Sequence, residues 1–207
     1  KAKGFLETSG GIIYYHNQPV AVRAAHDPAK GCVNQLGLDF SIEPELTTAV
    51  VRACRAETRL PLFAKLTPNC TDPRPIAAAA RAGGADGVTC INTLLGMGVD
   101  WRRRGSRLSA LYAGLSGPAI RPVALRIVSQ VAREVGGPIF GVGGIASAED
   151  ACEFLCAGAT AVQVGTASFV DLDAPQRIAA DLPRVLAAAG IRDVRELIGS
   201  FKHEPPR

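Results

Sequence analysis

The chemistry this chain could support is concentrated in two glycine-bearing turns. One closes the run Pro-Ile-Phe-Gly-Val-Gly-Gly-Ile at 138–145; the other closes Ala-Val-Gln-Val-Gly-Thr at 161–166, with a short helical pattern at 148–157 between them. Each run reads as a buried strand, the first ending in Gly143 and Gly144, the second in Gly165 and Thr166. Glycine lets backbone N–H groups come close to an anion, and a helix that follows adds its positive N-terminal end. A phosphate-bearing ligand is therefore the expected occupant. The competing reading is that the glycines only shape tight turns between strand and helix. In β/α barrels a phosphate site commonly follows the seventh and eighth strands.

Further candidates stand at the ends of earlier strands. Lys65 interrupts an apolar strand in Phe-Ala-Lys-Leu-Thr-Pro-Asn. Burying an unpaired ammonium is costly, so a lysine there either stabilises negative charge on a ligand or snorkels to the rim. Asn92 and Thr93 end the next strand, and an Asn amide can both donate to and accept from an amide-like ring edge. Gly117, before Pro118, suits either a close backbone approach or a plain helix entry. Gly-Leu-Ser-Gly-Pro at 114–118 lacks the Gly-x-Ser-x-Gly spacing of a hydrolase elbow, and no Ser-His-Asp set can be assembled from His16, His26 and His203. The run from Trp101 to Arg104 reads as a solvated loop or partner contact before it reads as a nucleic-acid site.

These residues need a scaffold of alternating strands and helices. Helices are predicted at 43–58, 71–82 (Thr71 or Asp72 as N-cap), 120–135, 148–157 and 175–189, with a last short one at 193–201. Strands are predicted at 62–66 and 87–92 and in the two glycine-ended runs, with a long loop at 93–118. Weaker strand signals lie at 10–15 and 20–25. The four clear strands are apolar throughout, which means parallel strands buried on both sides. A β/α barrel and an open doubly wound sheet both satisfy that pattern. A whole barrel takes about 250 residues, with about 200 at the lower end. The expectation is an α/β, TIM-type barrel represented by its later half.

The totals agree with one globular unit: 207 residues, 47% hydrophobic, 20% charged, net charge +4. That charge gives no reason to expect a nucleic-acid partner, and no apolar run reaches the length of a membrane span. A cytoplasmic, oligomeric protein is expected. The six cysteines are scattered, with no zinc-type spacing, and read mostly as reduced packing residues.

At five of these stretches the chain resembles the dihydroorotate dehydrogenases, most closely the class 1B flavoprotein subunit. They are Phe-Ala-Lys-Leu-Thr-Pro-Asn at 63–69, Ile-Asn-Thr-Leu-Leu-Gly-Met at 91–97, Gly-Leu-Ser-Gly-Pro-Ala-Ile at 114–120, Gly-Val-Gly-Gly-Ile at 141–145 and Val-Gly-Thr at 164–166. The resemblance implies an FMN-containing barrel that oxidises dihydroorotate to orotate. Lys65, Ile91 and Gly117 would lie against the flavin, and Asn92 and Thr93 would hold the pyrimidine. Gly143, Gly144, Gly165 and Thr166 would hold the FMN phosphate. The implied partner is an iron–sulfur and FAD subunit that passes electrons to NAD.

That family removes a proton with a cysteine in an Asn-x-Ser-Cys-Pro-Asn loop. The corresponding region here is 25–38, where Cys32-Val33-Asn34 is the partial match and Cys32 the candidate base. Aligned without gaps from Phe40, Lys30 takes that position instead; a two-residue deletion restores Cys32. The reading divides the chain into a divergent segment, 1–37, and the later half of an FMN-binding barrel, 38–207. Two alternatives remain: a half-barrel that binds flavin without turnover, and the related FMN domain of dihydropyrimidine dehydrogenase.

Overall fold

The computed structural model describes Phe5–Glu7, Ile13–Tyr15 and residues 42–202. Cys32, Lys30, the strand predicted at 20–25 and the division at residue 38 lie outside the described residues. The first two described segments are short antiparallel partners, β1 (Phe5–Glu7) and β2 (Ile13–Tyr15). The second falls inside the strand predicted at 10–15.

From Pro44 onward, helix and strand alternate. The series begins with α1 (Pro44–Glu57), β3 (Phe63–Leu66), α2 (Arg74–Ala82) and β4 (Gly87–Cys90). A ribbon follows, made of β5 (Leu94–Gly96), β6 (Val99–Asp100), β7 (Gly105–Ser106) and β8 (Ala113–Leu115). A 3-10 turn, Pro118–Ile120, leads into α3 (Arg121–Glu134). The rest comprises β9 (Ile139–Val142), α4 (Ala148–Ala157), β10 (Ala161–Gln163), α5 (Ala167–Val170), α6 (Ala174–Ala188) and α7 (Val194–Leu197).

Strand order decides between the two predicted architectures. β3, β4, β9 and β10 form one parallel sheet in that spatial order, each strand beside the next of the series. A doubly wound sheet reverses its order at a switch point, and this one does not. Right-handed crossovers that advance in one direction put all the helices on one face. Accordingly α1 packs on α2, α2 on α3, α3 on α4, and α4 on α6. This is the winding of a β/α barrel; among the described residues the four strands do not close on themselves.

Alternation along the strands separates the two faces. Ala64, Leu66, Val88, Cys90 and Ile139 are buried toward the helices, where they meet Val51, Ala80, Ile127, Val131 and Phe154. Phe63, Lys65, Thr89, Phe140 and Val142 point to the opposite, inner face. The Phe63 and Phe140 rings stack there at 4.4 Å between centroids. Gly87 lies between their strands. A Cβ on it would come within 2.5 Å of the Phe63 ring and 2.4 Å of the Pro138 carbonyl, so only glycine lets the strands and rings meet.

Several predictions of local structure change. The stretch at 93–118 is not an open loop: β5 pairs with β8 and β6 with β7, both antiparallel. Its strands are two or three residues long and interleaved with arginines, too short to show an alternating pattern. The N-cap of α2 is Pro73, while Asp72 accepts from the Arg74 N–H one residue further in, at 3.0 Å. The short helix α5 follows Thr166, whose side chain makes no capping hydrogen bond, and lies where the sequence pattern predicts no helix. The last helix is confined to Val194–Leu197, opened by an Asp193–Glu196 capping box.

Candidate functional site

Parallel strands bring their C-terminal ends to one edge of the sheet, and there the structure holds a cavity of about 530 Å³. That volume lies in the range of small-molecule and cofactor sites, roughly 300–1,000 Å³. All four strand ends contribute. Lys65 comes from β3, Ile91, Asn92 and Thr93 from the end of β4, Gly143 and Gly144 from the end of β9, and Gly165 and Thr166 from the end of β10. Gly117 enters from the root of the ribbon. Every candidate among the described residues therefore lines this one cavity. Lys65 is on one edge strand and Gly165 follows the other. Three inter-strand steps of about 4.8 Å put roughly 14 Å between them. A flat ring joined to a phosphate by a carbon chain can span that separation.

Each lining group is fixed by its neighbours. The amide N–H of Asn92 donates to the Leu66 carbonyl at 2.8 Å, continuing the β3–β4 pairing beyond the strands. Asn69 ties down the next residues. Its Nδ2 donates to the Thr93 carbonyl at 3.1 Å, and its Oδ1 accepts from the Leu95 N–H at 2.8 Å. Gly114 leaves room for Thr93, whose Oγ1 would lie 2.3 Å from a Cβ at that position. At the other root of the ribbon, the Thr166 hydroxyl donates to Ser116 Oγ at 2.8 Å. The Cys90–Ile91 peptide bond is cis.

The glycines differ in what they permit. Gly143 has φ +138° and a Cβ there would lie 2.9 Å from the Ala124 Cβ; Gly144 has φ +82° and its Cβ would reach the Gly117 carbonyl at 2.7 Å. Both are needed for the turn to exist. At Gly165 a Cβ would meet no protein atom within 4 Å. Its missing side chain leaves open space in the cavity wall, as a backbone cradle for an anion requires. Among the described residues, no backbone group accepts from the N–H of Gly144, Gly165 or Thr166. These features fit a phosphate.

One expectation changes. The N-terminus of α4 is partly taken up by the helix's own side chains. Asp150 Oδ2 accepts from the N–H groups of Ala146 at 2.9 Å and Ser147 at 3.1 Å, and Ser147 Oγ accepts from the Asp150 N–H at 3.2 Å. The helix's own side chains thus engage three of the N–H groups at its start. The glycine-turn amides are the other donors at this cavity edge.

Lys65, Asp171 and Arg177 are the charged residues of the cavity lining. Burial lowers the pKa of Lys65 from the ordinary 10.5. The unfolded chain therefore holds this proton more tightly than the folded one. The penalty is complete below the folded-state pKa, and stability rises as pH climbs through it toward 10.5. We expect Lys65→Met to flatten this rise, measured as urea midpoints between about pH 7 and pH 10. An unchanged slope would mean that another group produces it. At the cavity mouth Asp171 pairs with Arg177, which holds the carboxyl below its usual range. The buried thiols are poor nucleophiles: Cys54 is pushed up to about 11, and fully buried Cys90 also rises strongly.

Reading the sequence missed Asn69, Ser116 and Asp150 as individuals. The first two lie inside stretches already singled out. Asp150 was legible as the last residue of Ser-x-x-Asp ahead of an apolar helix.

The dihydroorotate dehydrogenase family model matches residues 32–186. The chain is 52% identical over 170 residues to the catalytic subunit of dihydroorotate dehydrogenase B (NAD(+)) of Trichlorobacter lovleyi, covering 82% of this chain and 56% of that protein. The Desulforudis audaxviator protein of the same name is 52% identical over 164 residues, 79% of this chain and 53% of its own. A putative dihydroorotate dehydrogenase A (fumarate) of Solibacter usitatus is 48% identical over 166 residues, 80% and 55% of the two chains. The chain thus spans about half the length of the curated relatives it matches. With the five stretches in order, the barrel-type winding and the match at this identity, the chain belongs to the dihydroorotate dehydrogenase family.

Proposed function

We propose that this chain forms the FMN-cradling part of a dihydroorotate dehydrogenase that oxidises dihydroorotate to orotate in pyrimidine biosynthesis. The observation that carries the reading is the single cavity shared by Lys65, Asn92 and the two glycine turns. Bound FMN would supply the hydride acceptor. Gly143, Gly144, Gly165 and Thr166 hold its phosphate through backbone N–H groups. Ile91 and Gly117 provide wall against the ring, and the Lys65 ammonium supplies positive charge beside it. Asn92 and Thr93 hold the pyrimidine by its amide edges. Two hydrogens leave the substrate, one as hydride and one as a proton; Cys32 is the base we assign to the proton. The electrons then pass to NAD through an iron–sulfur and FAD partner subunit; the names of the Trichlorobacter and Desulforudis relatives give NAD(+) and a catalytic subunit.

The test is direct. Purified protein loaded with FMN is mixed with dihydroorotate without oxygen, and the flavin absorbance is followed. Bleaching supports the assignment. Bound flavin that stays oxidised reduces the chain to a flavin-binding unit. Bleaching by dihydrouracil instead of dihydroorotate moves it to the dihydropyrimidine dehydrogenase branch.

A further inference from the structure

The geometry points to Asp150 as the residue that positions the phosphate-facing turn, an inference that rests on the FMN reading above. Asp150 is 8% exposed and lies behind the cavity wall. One oxygen, Oδ2, takes the N–H groups of both Ala146 and Ser147. The other, Oδ1, meets the Arg121 guanidinium, which also reaches Glu153 at 3.5 Å. Arg121 is the first residue of α3, just past the turn that begins at Gly117. A Cβ on Gly144 would lie 3.0 Å from the Arg121 Cβ. A single carboxylate thus joins the two turns at 117–121 and 143–146, both of which reach the cavity.

This has a chemical consequence. With Ala146 and Ser147 engaged by the carboxylate, the donors left in the turn are those of Gly143, Gly144 and Ile145. Among the described residues none of the three donates to another backbone group. Asp150 fixes the peptide planes behind them, and so fixes where those donors sit. Arg121 offsets the carboxylate's charge, so that the clamp does not repel a phosphate. The ring of the ligand lies toward Lys65 and does not depend on the clamp.

Titration of the full chain with FMN and with riboflavin, followed by flavin fluorescence, separates these contributions. Asp150→Ala is expected to weaken FMN about 10-fold or more and riboflavin by less than about twofold. Asp150→Asn keeps an oxygen where Oδ2 stands, and is expected to bring FMN back to within about threefold of wild type. Equal weakening of both flavins by Asp150→Ala, or weakening of neither, overturns the assignment. So does failure of Asp150→Asn to rescue. Should Asp150→Ala not fold, Arg121→Gln decides: an FMN-specific loss that added salt relieves supports the clamp, and no FMN-specific loss overturns it. A wild-type protein that binds FMN no better than riboflavin overturns the phosphate reading itself, and the clamp with it.

Discussion

Replacing Lys65 with alanine is expected to slow the reduction of bound flavin by dihydroorotate roughly 10²–10³-fold, the loss typical of removing one group that stabilises developing charge. Hydride transfer to FMN would put negative charge on its ring, and Lys65 is the cation that β3 brings to this cavity wall. Its environment is partly desolvated, which lowers its pKa, and a charge interaction there is stronger than in water. Cys54→Ala is the matched control. Cys54 packs between α1 and the sheet, is 4% exposed, and does not line the cavity. It should leave the reduction rate within about twofold, because deleting one buried sulfur acts on stability. Anaerobic stopped-flow of flavin bleaching compares the two. If both substitutions slow bleaching equally, Lys65 has no special part in the chemistry.

What the sequence revealed, and what it withheld, divides along physical lines. The units from Phe63 to Val142 and on to Gln163 were readable because parallel strands buried on both faces are short apolar runs, and glycines mark their ends. Lys65 was conspicuous because an ammonium inside such a run needs a reason. Strand order was not readable. An advancing order and a reversing order use the same local patterns, and only the pairing of β3 with β4, β4 with β9 and β9 with β10 excludes the reversing one. The convergence of four strand ends on one cavity follows from that order; the local patterns do not give it, and only the family resemblance implied it. The ribbon between Leu94 and Leu115 escaped because its pairings are non-local and its strands too short to alternate. The α4 N-terminus misled in a different way. Its positive end reads as an anion site, although Ser147 and Asp150 are there to occupy part of it. A helix start offers its amides to a ligand only when its own side chains leave them free.

Gly165→Val is expected to abolish FMN binding while leaving the fold intact. The residue has no left-handed φ to protect, and a Cβ would meet no protein atom within 4 Å. The melting temperature should therefore stay within about 2 °C of wild type, as for a substitution away from packed or strained features. The new side chain projects into the space that the phosphate needs. It would separate the ligand from the N–H groups of Gly165 and Thr166. Two charge-assisted hydrogen bonds at about 1.5–3 kcal/mol each correspond to a loss on the order of 10²–10⁴-fold in affinity. Gly165→Ala should fall between wild type and valine. Gly144→Ala gives the contrast: its Cβ would strike the Gly117 carbonyl at 2.7 Å, so stability and binding should fall together. Calorimetric melts with FMN titrations of the three variants distinguish these outcomes. A Gly165→Val protein that melts normally and binds FMN as wild type does would place the phosphate somewhere other than this turn.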